Sequence, residues 1–414
     1  MKLIIHRGTH EIGGSCVELR TQKSRVLIDF GLPLAEQENI LKILPQIEGL
    51  YRNQPRKIDA IFISHSHPDH YGLLKYVNPD IPIYMSQGTK ELIGISDAFT
   101  PIKSRKLNAE IIKNGKAVFV NDIKVTPYLV DHSAFEALAF LIEGEGKRVF
   151  YSGDFRGHGR KSSLFKHMLI SPPANIDCLL MEGTSLGRQD KIYKNETSVQ
   201  KRIEEVLREA GNITLFFASS QNIDRIVSAY KACRSAGAVF VIDAYTAYIL
   251  EKLKPLSKGI PQFNWKDMRV KFYWQQNKSL IAKESVKTLY RYKTRKIDFQ
   301  EINGGGRKFL ILARANPIFP HLLNKLNYAK GTKLIYSLWE GYLTDIFRGF
   351  CADKGLIIEN IHSSGHATLV DLKTFAKAIG PRALIPFHTF CPQEYKKLFS
   401  NVHFLGDGEV FELP

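Results

Sequence analysis

Residues 62–72 read Phe-Ile-Ser-His-Ser-His-Pro-Asp-His-Tyr-Gly. The run Ala60-Ile61-Phe62-Ile63 has the pattern of a buried strand, so His65 and His67 fall just past a strand's end. Residues two apart in an extended chain project to one side, which lets both imidazoles reach a single ion. Pro68 lacks an amide hydrogen and pre-sets a turn. Asp69 and His70 then open a helix, where they can serve a second ion. Imidazole and carboxylate are ligands suited to zinc or manganese. A lone histidine is usually structural, but three with an aspartate at this spacing are not explained that way.

Working outward, composition limits what such a site can belong to. A chain of 414 residues with 44% hydrophobic content suits either several units or one large α/β body with an insertion. It has no run of about 18 apolar residues, so no transmembrane helix is expected. The apolar stretch Leu3-Ile4-Ile5 is too short for a signal-peptide core. Cys16, Cys178, Cys233, Cys351 and Cys391 are scattered and odd in number, which argues against a disulfide framework or a cysteine zinc site and for a reducing cytoplasm. With 58 Lys+Arg against 41 Asp+Glu, the net charge is +17. Such a field attracts polyanions, nucleic acid before membrane; the plain alternative is a protein that is merely basic.

The first 180 residues read as β-rich, with apolar runs at 2–5, 26–30, 59–64, 117–120, 136–142 and 148–151 separated by turn residues. Near 197 the texture changes. Thr197-Ser198 is expected to cap a helix from Val199 to Ala210, followed by strand 213–217, helix 222–236, strand 238–242 and helix 245–254. This alternation predicts a parallel-sheet unit. Residues 355–386 read strand, helix, strand, and the chain is expected to end on two strands, Asn401–Leu405 and Glu409–Leu413. Residues 251–300 carry 13 Lys+Arg and 4 Asp+Glu, a net of 13 − 4 = +9, interleaved with Trp265, Phe272, Tyr273, Trp274, Tyr290 and Tyr292. Cations beside flat rings suit single-strand binding; a solvated helix face over ordinary core aromatics has the same composition.

The His65-x-His67-x-Asp69-His70 stretch resembles the H-x-H-x-D-H signature of the metallo-β-lactamase fold hydrolases. The family's other motifs have likenesses in order: Asp29 in Leu27-Ile28-Asp29-Phe30-Gly31, His132 in Val130-Asp131-His132-Ser133, and Asp154 in Ser152-Gly153-Asp154-Phe155. Met181-Glu182-Gly183-Thr184, Ser363-Ser364-Gly365-His366-Ala367 and Pro386-Phe387-His388-Thr389 are similar to the acid/His/His motifs of the β-CASP nuclease branch, most of all ribonuclease J. The resemblance covers nearly the whole chain. It implies an α/β fold, a metallo-β-lactamase αββα sandwich with an inserted parallel β-CASP domain: 1–182 and 351–414 for the sandwich, 183–350 for the insert.

Carried over, it puts His65, His67 and His132 on one zinc, Asp69, His70 and His388 on the other, and Asp154 between them, with manganese as the alternative metal. Asp29 orients ligands. Glu182 and His366 form an acid–histidine pair, with His366 the proton donor to a leaving 3′-oxygen; Ser364 and Gly365 would help hold a phosphate. Asp69, Asp154, Glu182 and His366 are thus the expected catalytic set. His362 is read as structural, and His6, His10, His158, His167, His321 and His403 match no motif.

The implied function is hydrolysis of phosphodiesters in single-stranded RNA, giving 5′-phosphate and 3′-hydroxyl ends. His388 favours RNA, because DNA-repair members carry an apolar residue there. Where ribonuclease J relatives usually read H-G-E, this chain reads His388-Thr389-Phe390, which leaves DNA as a rival substrate. A small-molecule hydrolase of the same superfamily explains the first motifs but neither the Ser-Gly-His-Ala turn nor the charge. A non-enzymatic binding protein has no need of seven aligned ligands. Neither the C-terminal domain of ribonuclease J nor an N-terminal RNA-binding domain is expected, although a homo-oligomer remains compatible with the chain.

Overall fold

The structure is a computed structural model describing residues 1–34, 40–100, 104, 108–188 and 193–414. The chain divides into two compact units, Met1–Gln189 with Gly365–Pro414, and Asp190–Ser364.

The first unit holds two mixed sheets. One runs Val410–Glu412, Lys2–Arg7, Cys16–Arg20, Arg25–Ile28, Ala60–Phe62, Ile83–Met85, Ala109–Ile111; the other runs Ala383–Phe387, Cys178–Glu182, Lys147–Tyr151, Leu138–Gly144, Ile123–Leu129, Val118–Val120. Strand side chains alternate between faces, and the pattern obeys this. Val26, Ile28, Ala60 and Phe62 pack against Leu138, Phe140, Val149, Tyr151, Leu180 and Phe387 of the opposite sheet. Leu27, Ile61 and Ile63 point the other way, into a second core with Tyr71, Leu74 and Ile93. The outer face of the second sheet is covered through Phe165, Met168, Leu372 and Phe375, from helices Ser162–Ile170 and Leu369–Ile379. This is the αββα sandwich expected.

The second unit contains one sheet in the order Met268–Lys271, Ala238–Asp243, Lys308–Ala313, Ile213–Phe217, Lys333–Tyr336, Ile357–Asn360. Every pairing in it is parallel. Helices Glu196–Glu209, Ile223–Ala236 and Ala244–Leu253 alternate with its first strands. The expected boundaries at 182 and 350 fall at the end of strand Cys178–Glu182 and inside helix Asp345–Asp353.

Two local expectations are corrected. The helix expected from Val199 starts at Glu196; its cap is Asn195, whose side chain accepts from the Ser198 amide in a reciprocal capping box. Ser198 is thus inside the first turn. The strand expected at Asn401–Leu405 is a single bridge, Leu384 to Val402; of the two closing strands, Val410–Glu412 is the one formed. Among the described residues no helix is long and apolar enough to cross a membrane.

Candidate metal centre

The chemistry-bearing residues gather where strands of the first unit end. Asp29 follows strand Arg25–Ile28, His65 follows Ala60–Phe62, Asp154 follows Lys147–Tyr151, Glu182 ends Cys178–Glu182, and His388 follows Ala383–Phe387. Pro68 opens the short helix Pro68–Tyr71. That turn is pinned by backbone bonds: the amides of Ser15, Phe30 and Leu32 donate to the carbonyls of Asp69, His70 and Pro68. Gly31 permits this approach, since a Cβ there would lie 1.6 Å from the Asp69 carbonyl oxygen.

Three imidazoles meet first. The Nε2 atoms of His65 and His132 lie 3.1 and 3.2 Å from Nδ1 of His67. A second set surrounds the first set's neighbour, Asp154. Its carboxylate is 3.2 Å from His70 Nε2, 3.7 Å from His65 Nε2 and 3.6 Å from His388 Nδ1. Asp69 lies 3.2 Å from His388 Nε2 and 3.8 Å from His70 Nε2. Ligand atoms within 4.8 Å of one another form the groups His65/His67/His132, His65/His70/Asp154, Asp69/His70/His388 and Asp154/Glu182/His366/His388. All seven residues expected as ligands, with Glu182 and His366, therefore share one cluster.

The imidazoles are aimed from behind. Asp29 is fully buried and accepts from the Ser64 amide at 2.7 Å, the Ser64 hydroxyl at 2.8 Å and the Tyr151 hydroxyl at 2.7 Å. Its carboxylate also meets His70 Nδ1 at 2.8 Å. Ser64 Oγ stands 3.0 Å from His65 Nδ1, so one carboxylate orients two rings. The Gly365 carbonyl accepts from His132 Nδ1 at 2.6 Å, which leaves the Nε2 lone pair facing the cluster. Thr184 Oγ1 stands 2.9 Å from His388 Nδ1. Asp29 and His388 both have left-handed backbones, φ 60° and 53°. Such conformations are costly away from glycine and persist where the surroundings impose them.

Charge is divided across the cluster. Burial, reinforced by neighbouring rings, pushes His65 and His132 well below the usual histidine range, and burial brings His67 down to about 4. These three offer neutral lone pairs. Burial raises carboxyls, but the His70 ring and a contact from His388 outweigh it and hold Asp69 at about 2. Asp154 is likewise held low against burial by His388, His70 and His366. His70 is held well above its ordinary value, against burial, by Asp154, Asp29 and Asp69.

Both oxygens of Asp154 and Nε2 of His70 are buried and make no hydrogen bond. Buried polar atoms are nearly always satisfied. Converging lone pairs, two carboxylates and these orphaned atoms fit a divalent metal site. Beside them, Glu182 accepts from the amides of Ala367 at 3.1 Å and Thr184 at 3.0 Å, and His366 Nδ1 lies 3.4 Å from it. Burial lowers His366, but Glu182 and Asp154 outweigh it and raise it.

Of the residues expected to hold phosphate, Gly365 and His366 belong to this unit and Ser364 ends the other. Gly365 backs onto protein: a Cβ there would lie 2.8 Å from Ser133 Oγ. His362 stands 3.3 Å from buried Arg225 in the second unit. Sequence reasoning missed Tyr151, Ser64, Thr184 and the Gly365 carbonyl. Only Tyr151 carries a signal, since a tyrosine inside an apolar strand needs a hydroxyl partner.

The Beta-lactamase superfamily domain matches residues 24–233. The chain belongs to the metallo-β-lactamase superfamily. Within it, the chain is 22% identical over 443 aligned positions to Ribonuclease J 2 of Streptococcus pyogenes serotype M3, covering 100% of this chain and 76% of that protein. It is 25% identical over 422 positions to transcription termination factor FttA of a Lokiarchaeum species, covering 91% of this chain and 64% of that one. The chain thus spans about two thirds to three quarters of these relatives. A crystal structure of a protein of unknown function from Enterococcus faecalis V583 superposes with a TM-score of 0.79 at 20% identity, over 99% of both chains. That likeness bears on the fold alone.

Proposed function

We propose that this chain is a two-metal ribonuclease that hydrolyses phosphodiester bonds in single-stranded RNA, leaving 5′-phosphate and 3′-hydroxyl ends. The observation that carries the reading is the cluster in which Asp154 lies between a three-histidine group and the Asp69/His70/His388 group. His65, His67 and His132 would hold one ion, Asp69, His70 and His388 the other, and Asp154 both. Zinc suits the donor set, with manganese as the alternative. When bound, two such ions supply Lewis acidity toward the phosphoryl oxygens and a water acidic enough to attack near neutral pH.

The chain's own residues supply orientation and a proton. Asp29 fixes His70 directly and His65 through Ser64. The Gly365 carbonyl sets the His132 tautomer. Glu182, held by backbone amides, faces His366 Nδ1, so His366 Nε2 is the atom that carries a proton to the leaving 3′-oxygen. His366 is protonated more readily than an ordinary histidine, as a general acid requires.

RNA is favoured by His388 at the last motif, by the +17 charge and by the ribonuclease relatives. The test is digestion of end-labelled single-stranded RNA and DNA, with 5′-phosphate and 5′-hydroxyl ends, alongside metal analysis of the purified protein. Cleavage of RNA with zinc or manganese near two per chain is expected. Metal below one per chain, or hydrolysis of a thioester or lactone with RNA left intact, overturns the proposal; preferential cleavage of DNA replaces its substrate.

A further inference from the structure

The basic, aromatic stretch lies in the second unit, its helices Trp274–Lys283 and Val286–Lys293 falling between strands Met268–Lys271 and Lys308–Ala313, and the structure sorts its rings. Tyr292 is fully buried, whereas Trp274 is 71% and Tyr290 63% exposed. In helix Trp274–Lys283, Leu280 faces inward, and Trp274, Lys278 and Ile281 share the exposed stripe at i, i+4 and i+7. In helix Val286–Lys293, Thr288 and Tyr292 face inward, and Val286, Tyr290 and Lys293 form the same kind of stripe. Residues 274–296 carry seven Lys+Arg and one acid, Glu284. Glu284 is paired with Lys252 at 2.9 Å, and Arg291 with Glu251 at 3.1 Å. Among the described residues, Lys278, Lys283, Lys287 and Lys293 have no carboxylate within 4.0 Å. The Lys278 ammonium sits 4.4 Å from the centre of the Trp274 ring.

We propose that this helix pair is a docking surface for single-stranded nucleic acid, with Trp274 and Tyr290 stacking on bases and the four lysines meeting phosphates. A large tryptophan left mostly exposed, with the Lys278 ammonium against its ring, suits a partner with flat faces and phosphates. A membrane-lying helix segregates its cations from its apolar stripe; here Lys278 and Lys293 lie within the stripes of Trp274 and Tyr290. That interleaving matches a chain in which bases and phosphates alternate.

The test uses the full chain after chelation, so that nothing is cleaved, and a fluorescein-labelled single-stranded RNA about one dozen nucleotides long. Trp274→Ala and Tyr290→Ala are each expected to weaken binding about tenfold, in the range of losing one stacked base. Lys278→Gln with Lys287→Gln should reduce the slope of log affinity against log salt by about 1.4, two phosphate contacts' worth. All four residues being exposed, the melting temperature should not move. Wild-type affinity and slope in these variants overturn the proposal. So does binding to phosphatidylserine vesicles, or self-association, that the substitutions abolish while RNA affinity stays intact. The inference is separable from the catalytic one: binding without cleavage sinks only the ribonuclease reading, and cleavage with variant-insensitive binding sinks only this one.

Discussion

The cluster in the first unit and the helix pair in the second both gather ionisable side chains, and treat them in opposite ways. Around Asp154, His70, Asp29 and Glu182 are buried and Asp69 and His366 are only partly exposed, and each faces a counter-group or an orienting hydrogen bond. On the helix pair, Lys283 and Lys287 are exposed, as are Trp274 and Tyr290. Removing charges from water is expensive unless they are paired. A centre that performs bond chemistry has to meet that cost to gain fixed geometry and strong fields. A surface that grips a flexible polymer gains nothing from it, because the polymer brings its own charges and its own disorder.

Substitutions test this contrast, from the largest expected effect downward. Asp154→Ala removes the carboxylate shared by both halves of the cluster. It is expected to lose bound metal, measured by elemental analysis, and with it all detectable hydrolysis. Retention of two metals with activity would show that the cluster is not one centre. His366→Ala should keep its metal and lose about 10²–10⁴-fold in kcat, the usual worth of a general acid. Wild-type turnover would remove His366 from proton transfer, and lost metal would reassign it as a ligand.

Asp29→Asn is subtler. Asparagine tolerates the left-handed backbone at this position, so the substitution isolates the charge that aims His70 and His65. Metal affinity should fall about 10–100-fold, as for other orienting partners of ligands, with the fold intact by circular dichroism. Unchanged affinity would mean that Ser64 and the backbone aim the rings unaided. The smallest effects belong to the helix pair, about tenfold per ring in RNA affinity, and there the melting temperature is the control. A fall of several degrees would place Trp274 among the packing residues and erase the contrast between the two regions.

Legibility followed the same division. Four of the seven expected ligands were readable because His65, His67, Asp69 and His70 sit within six residues, at strand spacing and then a helix turn. The unbroken apolar runs Val26-Leu27-Ile28 and Ala60-Ile61-Phe62 mark buried strands, and the cores on either side account for their two covered faces. The cap of helix Glu196–Glu209 was misplaced because Asn195, Thr197 and Ser198 are all capping residues, and only backbone geometry chooses among them. Strand Ile357–Asn360 and helix Leu369–Ile379 read as one continuous alternation, yet they lie in different units. Hydrophobic period records that an element is covered, not by what.

By itself the sequence determined that the chain suits a metal and mixes strands with helices, because ligand spacing and apolar runs are local properties that any nearby residues can display. Tertiary structure alone decided what makes the cluster usable. It brought Tyr151 to Asp29 across 122 residues of chain, turned the Gly365 carbonyl toward His132 across 233, and left Trp274 exposed while burying Tyr292. Those outcomes depend on which surfaces meet, and a hydroxyl, a carbonyl or a ring carries no mark in the sequence of the partner that folding will give it.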